Sequence, residues 1–211
     1  MTSIETLSPA EAEAALPDLA ALLHACVLDG ASIGFVLPFG LPEAEAFWRE
    51  GLPALRGGAR RLLVARHEGR ILGSTQVGLA GPPNGRHRAE ITKVLVHPVA
   101  RRRGLGRALM LAAEELALAE GRSLLILDTR ADDAGEALYR SLGYAVTGVV
   151  PDYACSPEGV PEPCTFMHKR LPAPSQGQLA QGQLAQGQLA HGQLAHGQLA
   201  HGPELARQIG T

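Results

Sequence analysis

The sequence predicts an α/β (α+β) fold, a single domain whose mixed central sheet of about seven strands carries helices on both faces. Three observations predict it. Short apolar runs of strand length alternate with stretches of helical periodicity from the first residues to Leu171. The order strand, helix, strand over residues 89–129 calls for a right-handed crossover between two parallel strands. The last two apolar runs, 144–150 and 165–171, return on each other as a pair, which makes the remainder of the sheet antiparallel.

Each element has a local reason. Residues 4–7 form the first strand. Ser8-Pro9 opens a helix: Ser8 is its N-cap, Glu11 follows as in a capping box, and Pro9 takes the first helical position. That helix runs toward Gly30 through Leu16, Leu19, Leu22, Leu23 and Val27, with Pro17 breaking or kinking it. Residues 42–55 make a second amphipathic helix carrying Phe47 and Trp48. Residues 61–67 and 70–79 are a strand pair joined at Glu68-Gly69, and the Gly-Pro-Pro-Asn-Gly run of 81–85 is a loop. The next strand covers 89–96. A helix over 104–120 puts Leu105, Leu109, Ala112, Leu116 and Ala119 on one face. The apolar run 124–127 has the length of a buried strand, and residues 133–142 form a short helix closed by Gly143, with Asp132 able to cap it.

The chain of 211 residues has the length of one domain, residues 1–171, plus an appendage, residues 172–211. From Gln176 to Ala200 five copies of (Gln/His)-Gly-Gln-Leu-Ala follow one another. So sparse a supply of leucine cannot offset backbone ordering at roughly 1–2 kcal/mol per residue. On a helix those leucines would also step by about 140°, leaving no apolar face. The repeat tail is therefore expected to be disordered.

A net charge of −2 argues neither for nucleic acid nor for an acidic membrane surface, and neither is expected as a partner. Locally, Arg86, His87, Arg88, Lys93, His97, Arg101, Arg102, Arg103 and Arg107 make the middle of the chain basic, which suits an anionic small molecule. Cys26, Cys155 and Cys164 lack the spacing of a disulfide framework or a zinc site. The tail histidines His191, His196 and His201 miss the i, i+4 spacing of a helical metal site, so no metal is expected. No apolar run approaches the roughly 20 residues of a spanning helix, and residues 1–9 lack the pattern of a signal peptide. A cytoplasmic protein is expected.

The stretch from Val94 to Leu109 is the most informative. A strand ends, a basic loop follows, and a glycine-punctuated turn enters a helix. Helix starts leave N–H groups unpaired and carry partial positive charge, which suits phosphate. Glycine lets the backbone approach the anion. No Gly-Lys-Ser/Thr follows, so this is not a Walker loop, and the third glycine of a dinucleotide fingerprint is absent.

Arg101-x-x-Gly104-x-Gly106 resembles the Q/R-x-x-G-x-G/A motif of the GNAT superfamily of N-acetyltransferases. The Val94-x-Val96-His97-Pro98 lead-in and Leu138-Tyr139-Arg140-Ser141-Leu142-Gly143-Tyr144 resemble two further segments of that family. His87-Arg88-Ala89-Glu90, Leu127-Asp128-Thr129, Leu138-Tyr139, Val150 to Ala154 and Asp29 to Phe35 are similar to the branch that holds tabtoxin-resistance acetyltransferases. The resemblance spans residues 3–171 and stops before the repeats.

The resemblance implies acetyl-CoA as co-substrate and transfer of its acetyl group to an amine. Backbone amides of Arg102, Arg103, Gly104, Leu105, Gly106, Arg107 and Ala108 would hold the pyrophosphate, and the side chains of Arg101 and its neighbours would meet phosphates. Leu95 and Val96 would pair with the pantetheine arm, and the Val96 N–H would polarise the thioester carbonyl. Glu90 would be the general base, Asp128 its helper or an ammonium ligand, and Tyr139 the acid for the leaving thiolate. The expected acceptor is a small-molecule amine. A peptide N-terminus, or a sensor module that binds acyl-CoA without turnover, are the alternatives. Relatives in the family often form homodimers. A closed pocket under the 29–39 loop and the 151–164 hairpin would favour a small acceptor, and an open trough a peptide.

Overall fold

The computed structural model describes residues 2–172; the repeat tail expected to be disordered lies outside them. Seven strands form one sheet: β1 (Thr2–Leu7), β2 (Arg60–His67), β3 (Arg70–Leu79), β4 (Arg88–Val96), β5 (Leu124–Arg130), β6 (Ala145–Cys155) and β7 (Pro161–Arg170). Their order is β1-β2-β3-β4-β5-β7-β6. β4 and β5 run parallel and the other neighbours antiparallel, as the sequence predicts. The helices are α1 (Pro9–Ala14), α2 (Leu16–Leu28), α3 (Leu41–Arg56), α4 (Leu105–Ala119) and α5 (Ala134–Ser141).

Helices lie on both faces because inner strands alternate apolar residues to two sides. Leu62 and Val64 of β2 join the core under α1, α2 and α3. Leu63 and Ala65 of the same strand join a second core under α4 and α5. The capping box at Ser8 forms, Glu11 N–H donating to Ser8 Oγ at 3.3 Å and Ser8 N–H to Glu11 Oε2 at 2.8 Å. Pro17 divides the expected first helix into α1 and α2, taking a first-turn position where its missing N–H costs nothing. Trp48 of α3 is buried, its indole N–H donating to Leu19 O at 2.9 Å.

Two local expectations are corrected. On α4 the buried line is Leu109, Met110, Ala113 and Ala117, whereas Ala119 is exposed and Leu105, Ala112 and Leu116 are half-buried. This helix is apolar nearly all round, so periodicity alone does not centre its face. Glu114 also turns inward, where Lys169 of β7 meets it at 2.7 Å. The cap of α5 is Asp133, not Asp132: Asp133 Oδ1 accepts from Glu136 N–H at 2.9 Å. Asp132 stands one residue too early with φ +59, and its own N–H donates to Glu136 Oε2 at 2.9 Å.

The last three strands run longer than their apolar stretches. Pairing extends them, with Asp128 opposite Phe166, Arg130 opposite Cys164 and Cys155 opposite Pro161. Backbone hydrogen bonding carries strand geometry past the residues that bury well.

Candidate active site

The parallel strands β4 and β5 pair over only three positions, Arg88 with Leu124, Ala89 with Leu125 and Glu90 with Ile126. A bulge in β4 ends the pairing. Against β3, Ser74 faces Leu95 and Gln76 faces Thr92, so Lys93 and Val94 share the place opposite Thr75. Lys93 takes φ +52, and Ser74 Oγ fixes the bulge by donating to Lys93 O at 3.3 Å. A bulge bends its strand, and β4 leaves β5 while β5 stays with β7 as far as Arg130. The two strands therefore splay from Glu90 onward.

Backbone direction settles what Val96 offers to that gap. His97 donates its N–H to Leu72 O at 2.9 Å on the β3 side. N–H groups alternate between the edges of an extended strand, so that of Val96 points into the gap. The Val96 carbonyl is engaged already, accepting from Cys26 Sγ at 3.5 Å and Arg101 Nε at 3.3 Å.

Below the gap the chain enters α4 through left-handed backbone, φ +62 at Arg102 and φ +80 at Gly104. Gly104 is the N-cap and supplies no side chain to the first N–H groups of the helix, which leaves them for a ligand. Gly106 lets the helix start approach its neighbours: a Cβ there would lie 3.1 Å from Leu138 Cδ2 and 3.7 Å from Val96 Cγ2. The four arginines divide. Arg101 turns back to Asp29 and the Val96 carbonyl, and Arg107 donates to Ser141 Oγ at 2.9 Å. Arg102 and Arg103 are exposed, and no described residue holds their guanidinium groups. Free amides at a helix start with two free cations beside them fit the phosphates of a coenzyme.

Glu90 is exposed at the last paired position of β4. Asp128 is exposed two residues past the end of pairing on β5, and the buried Cys164 donates to its Oδ2 at 3.4 Å and to Thr129 O at 3.0 Å. Tyr139 comes from α5, 7% exposed, with its ring centroid 6.0 Å from that of Tyr144. Burial, then the Asp133 and Asp128 carboxylates, hold its phenol above the ordinary value. Gly135 lies against that ring: a Cβ there would come 2.9 Å from Thr129 Oγ1, 3.1 Å from Asp133 Oδ1 and 3.6 Å from Tyr139 Cε2. Glycine here costs the helix propensity but leaves room for the tyrosine and the cap. Burial raises the thiols of Cys26, to about 11, and Cys164, to about 12.

Two residues to which the sequence assigns no individual role lie at this candidate site. Lys93 reaches from the bulge to the loop of residues 29–40, its Nζ donating to Ile33 O at 2.8 Å. Burial lowers its pKa while the Asp128 carboxylate opposes that shift. Its signal in the sequence was a lysine set between Thr92 and the apolar run of residues 94–96. Arg130 joins both sides of the opening, Nη2 donating to Gly30 O at 2.7 Å and Nη1 meeting Glu162 Oε2 at 3.3 Å. Leu37 N–H donates to Pro157 O at 2.7 Å and Ser32 Oγ to Cys155 O at 3.5 Å. The 29–40 loop and the β6–β7 hairpin thus meet over the open ends of β4 and β5.

Among the described residues no helix is long and apolar enough to cross a membrane, and no cluster of His, Cys, Asp and Glu could hold a metal.

Comparison with known proteins agrees with this geometry. The family described as Acetyltransferase (GNAT) family matches residues 21–144. An uncharacterized N-acetyltransferase of the hisH-hisA intergenic region of Azospirillum brasilense is 36% identical over 117 residues, 54% of this chain and 68% of that protein. The IAA acetyltransferase of the same organism is 34% identical over 112 residues, 53% of this chain and 68% of that one. Among solved structures, the ribosomal-protein-alanine N-acetyltransferase from Brucella melitensis superposes with a TM-score of 0.66 at 29% identity, covering 80% of this chain and 99% of that one. With the splayed strands, the glycine turn and these matches together, the chain belongs to the GNAT family of acetyltransferases.

Proposed function

We propose that this acetyl-CoA-dependent acyltransferase acetylates the primary amine of a small molecule by direct transfer, with both substrates bound at once. The observation that carries the small acceptor is the contact of the 29–40 loop with the β6–β7 hairpin, Leu37 N–H to Pro157 O at 2.7 Å. A peptide would need an open trough there.

Acetyl-CoA supplies an activated acyl thioester. The first amides of α4, from Arg102 to Ala108, bind its pyrophosphate with the free side chains of Arg102 and Arg103. Arg101 acts through Asp29 and Val96 rather than on phosphate. The edge of β4 that faces the gap lines the pantetheine arm at Val96, whose N–H polarises the acyl carbonyl; Leu95, expected to pair with that arm, is buried and turns its N–H to β3 instead. An alkylamine is protonated near pH 7, with a pKa around 10, and attacks only when neutral. Glu90 takes that proton and Asp128, across the splay, steadies the ammonium beforehand. Tyr139 gives its proton to the leaving thiolate. Its raised phenol pKa keeps it protonated at every physiological pH. Thiols pushed up to about 11 and about 12 are poor nucleophiles near neutrality, which argues against an acyl-cysteine route through Cys26 or Cys164.

Most of the segments similar to the tabtoxin-resistance branch lie around this acceptor end, which supports that branch. Three unpaired cysteines support a reducing, cytoplasmic location. The outer strand β6 exposes Val149, Val150 and Tyr153, which supports a homodimer, to be tested by light scattering. The likeness to the Brucella ribosomal-protein-alanine enzyme favours a second reading, a peptide N-terminus as acceptor.

The test is acetyl-CoA-dependent thiol release against small amines and short peptides with N-terminal alanine. Glu90→Gln and Tyr139→Phe are each expected to lower kcat by about a hundredfold, the lower end of the range of general acid–base catalysis. Peptide turnover above that of every small amine would favour the second reading. Coenzyme binding without release to any acceptor would sink the transferase mechanism.

A further inference from the structure

We infer that Lys93 determines acceptor specificity, selecting an amine that carries a carboxylate or comparable anion near its amino group. The inference rests on the proposed small-amine acceptor and narrows its chemical class. Lys93 occupies the β4 bulge with φ +52, a backbone region that residues with a Cβ enter uncommonly. The bulge takes its side chain out of the alternation of the strand and sends it toward the 29–40 loop. There Nζ donates to Ile33 O at 2.8 Å. It lies 5.7 Å from the ring centroid of Phe35 and 5.3 Å from that of Phe47. The loop passes close over it at Gly34, where a Cβ would stand 3.7 Å from Nζ.

An ammonium has three donors, and Ile33 takes one. Among the described residues no carboxylate pairs with Lys93. The Asp128 and Glu90 carboxylates act on it from the splayed strands and favour its charge, while Arg60 opposes it. The rings of Phe35 and Phe47 meet part of the charge but offer no lone-pair acceptor, so the two remaining donors are best completed by an anion. The layout is thus one cation beside two exposed carboxylates. It is complementary to a zwitterion, with the acceptor ammonium at Glu90 and Asp128 and its anion at Lys93. An uncharged alkylamine side would leave Lys93 unpaired, and sites built to pair a group discriminate against ligands lacking it. If Lys93 served only to anchor the loop through Ile33, its loss would slow all acceptors alike.

The experiment measures kcat/KM for the common amino acids, each beside its own carboxamide, in the wild type, Lys93→Gln and Lys93→Arg. Thermal stabilisation by the same compounds is measured in parallel. The wild type is expected to prefer the carboxylate member of the best pair by at least tenfold, mostly through KM. Lys93→Gln is expected to bring that ratio near one, and Lys93→Arg to restore most of it. Equal use of carboxylate and carboxamide by the wild type, or a ratio that Lys93→Gln leaves intact, overturns the inference while leaving the transferase standing. Carboxylate-dependent stabilisation that vanishes in Lys93→Gln, without turnover, keeps the anion site and removes the transferase reading. Neither turnover nor carboxylate-dependent stabilisation overturns both.

Discussion

From Val96 to Ala108 the protein offers a ligand mostly backbone: an N–H facing a gap, a left-handed glycine at the start of α4, and uncapped amides behind it. The proposed acceptor end is made instead of side chains drawn from distant parts of the chain. Arg130 reaches Gly30 across 100 residues, Ser32 reaches Cys155 across 123, and Lys93 reaches Ile33 across 60. The difference has a physical basis. A coenzyme phosphate is recognised by amides that any sequence possesses once the turn is right, so the requirement falls on where glycine stands. An acceptor is recognised by charge and shape, which must be assembled from whichever strands and loops the fold brings together.

The comparison is broken or sharpened first at Gly106. Gly106→Val puts branched carbon against Leu138 and Val96, where a Cβ alone comes to 3.1 Å and 3.7 Å. Acetyl-CoA Kd by calorimetry is expected to rise about tenfold or more, since small displacements at a binding backbone are expensive. Acceptor selectivity should persist in what activity remains. Arg130→Ala does the reverse. It frees the Gly30 carbonyl and Glu162, and acceptor KM is expected to rise about fivefold, the worth of roughly one hydrogen bond, with acetyl-CoA Kd steady. If either variant moves both ligands equally, the two halves are one unit.

Gly135→Ala tests the seam between them at the Tyr139 helix. Alanine improves helix propensity by about 1 kcal/mol, yet its Cβ would come within 2.9 Å of Thr129 Oγ1. A net loss of about 1 kcal/mol in urea unfolding is expected, because overpacking outweighs propensity. Tyr139 offers a pH test of the same seam. A phenol held above its ordinary value contributes stability that is fully present below about pH 10, the unfolded value, and lost as pH rises above it. Tyr139→Phe should therefore flatten the alkaline fall in stability. The smallest effect belongs to Arg101→Ala. Its pair with Asp29 is partly exposed on both sides and is worth less than about 1 kcal/mol, so a Tm within a few degrees of the wild type is expected.

The sequence by itself determined the strand and helix order, the capping box at Ser8, the break at Pro17, the parallel crossover and the glycine turn. These depend on local sterics, on hydrogen bonding within a few residues or on hydrophobic period, all of which are written in consecutive positions. The roles proposed for Glu90, Asp128 and Tyr139 came from resemblance to a family rather than from local pattern, because each lies in a segment similar to that family. The tertiary structure alone decided the rest. It centred the buried line of α4 on Leu109, Met110, Ala113 and Ala117, since a helix apolar on most sides takes its inner face from the sheet it meets. Asp133 became the cap instead of Asp132, because Asp132 itself takes left-handed backbone and stands one residue too early to reach the first turn. Arg101 turned toward Asp29, and Lys93 toward Ile33. Long charged side chains have many rotamers of similar energy, and only the partners that folding brings within reach choose among them.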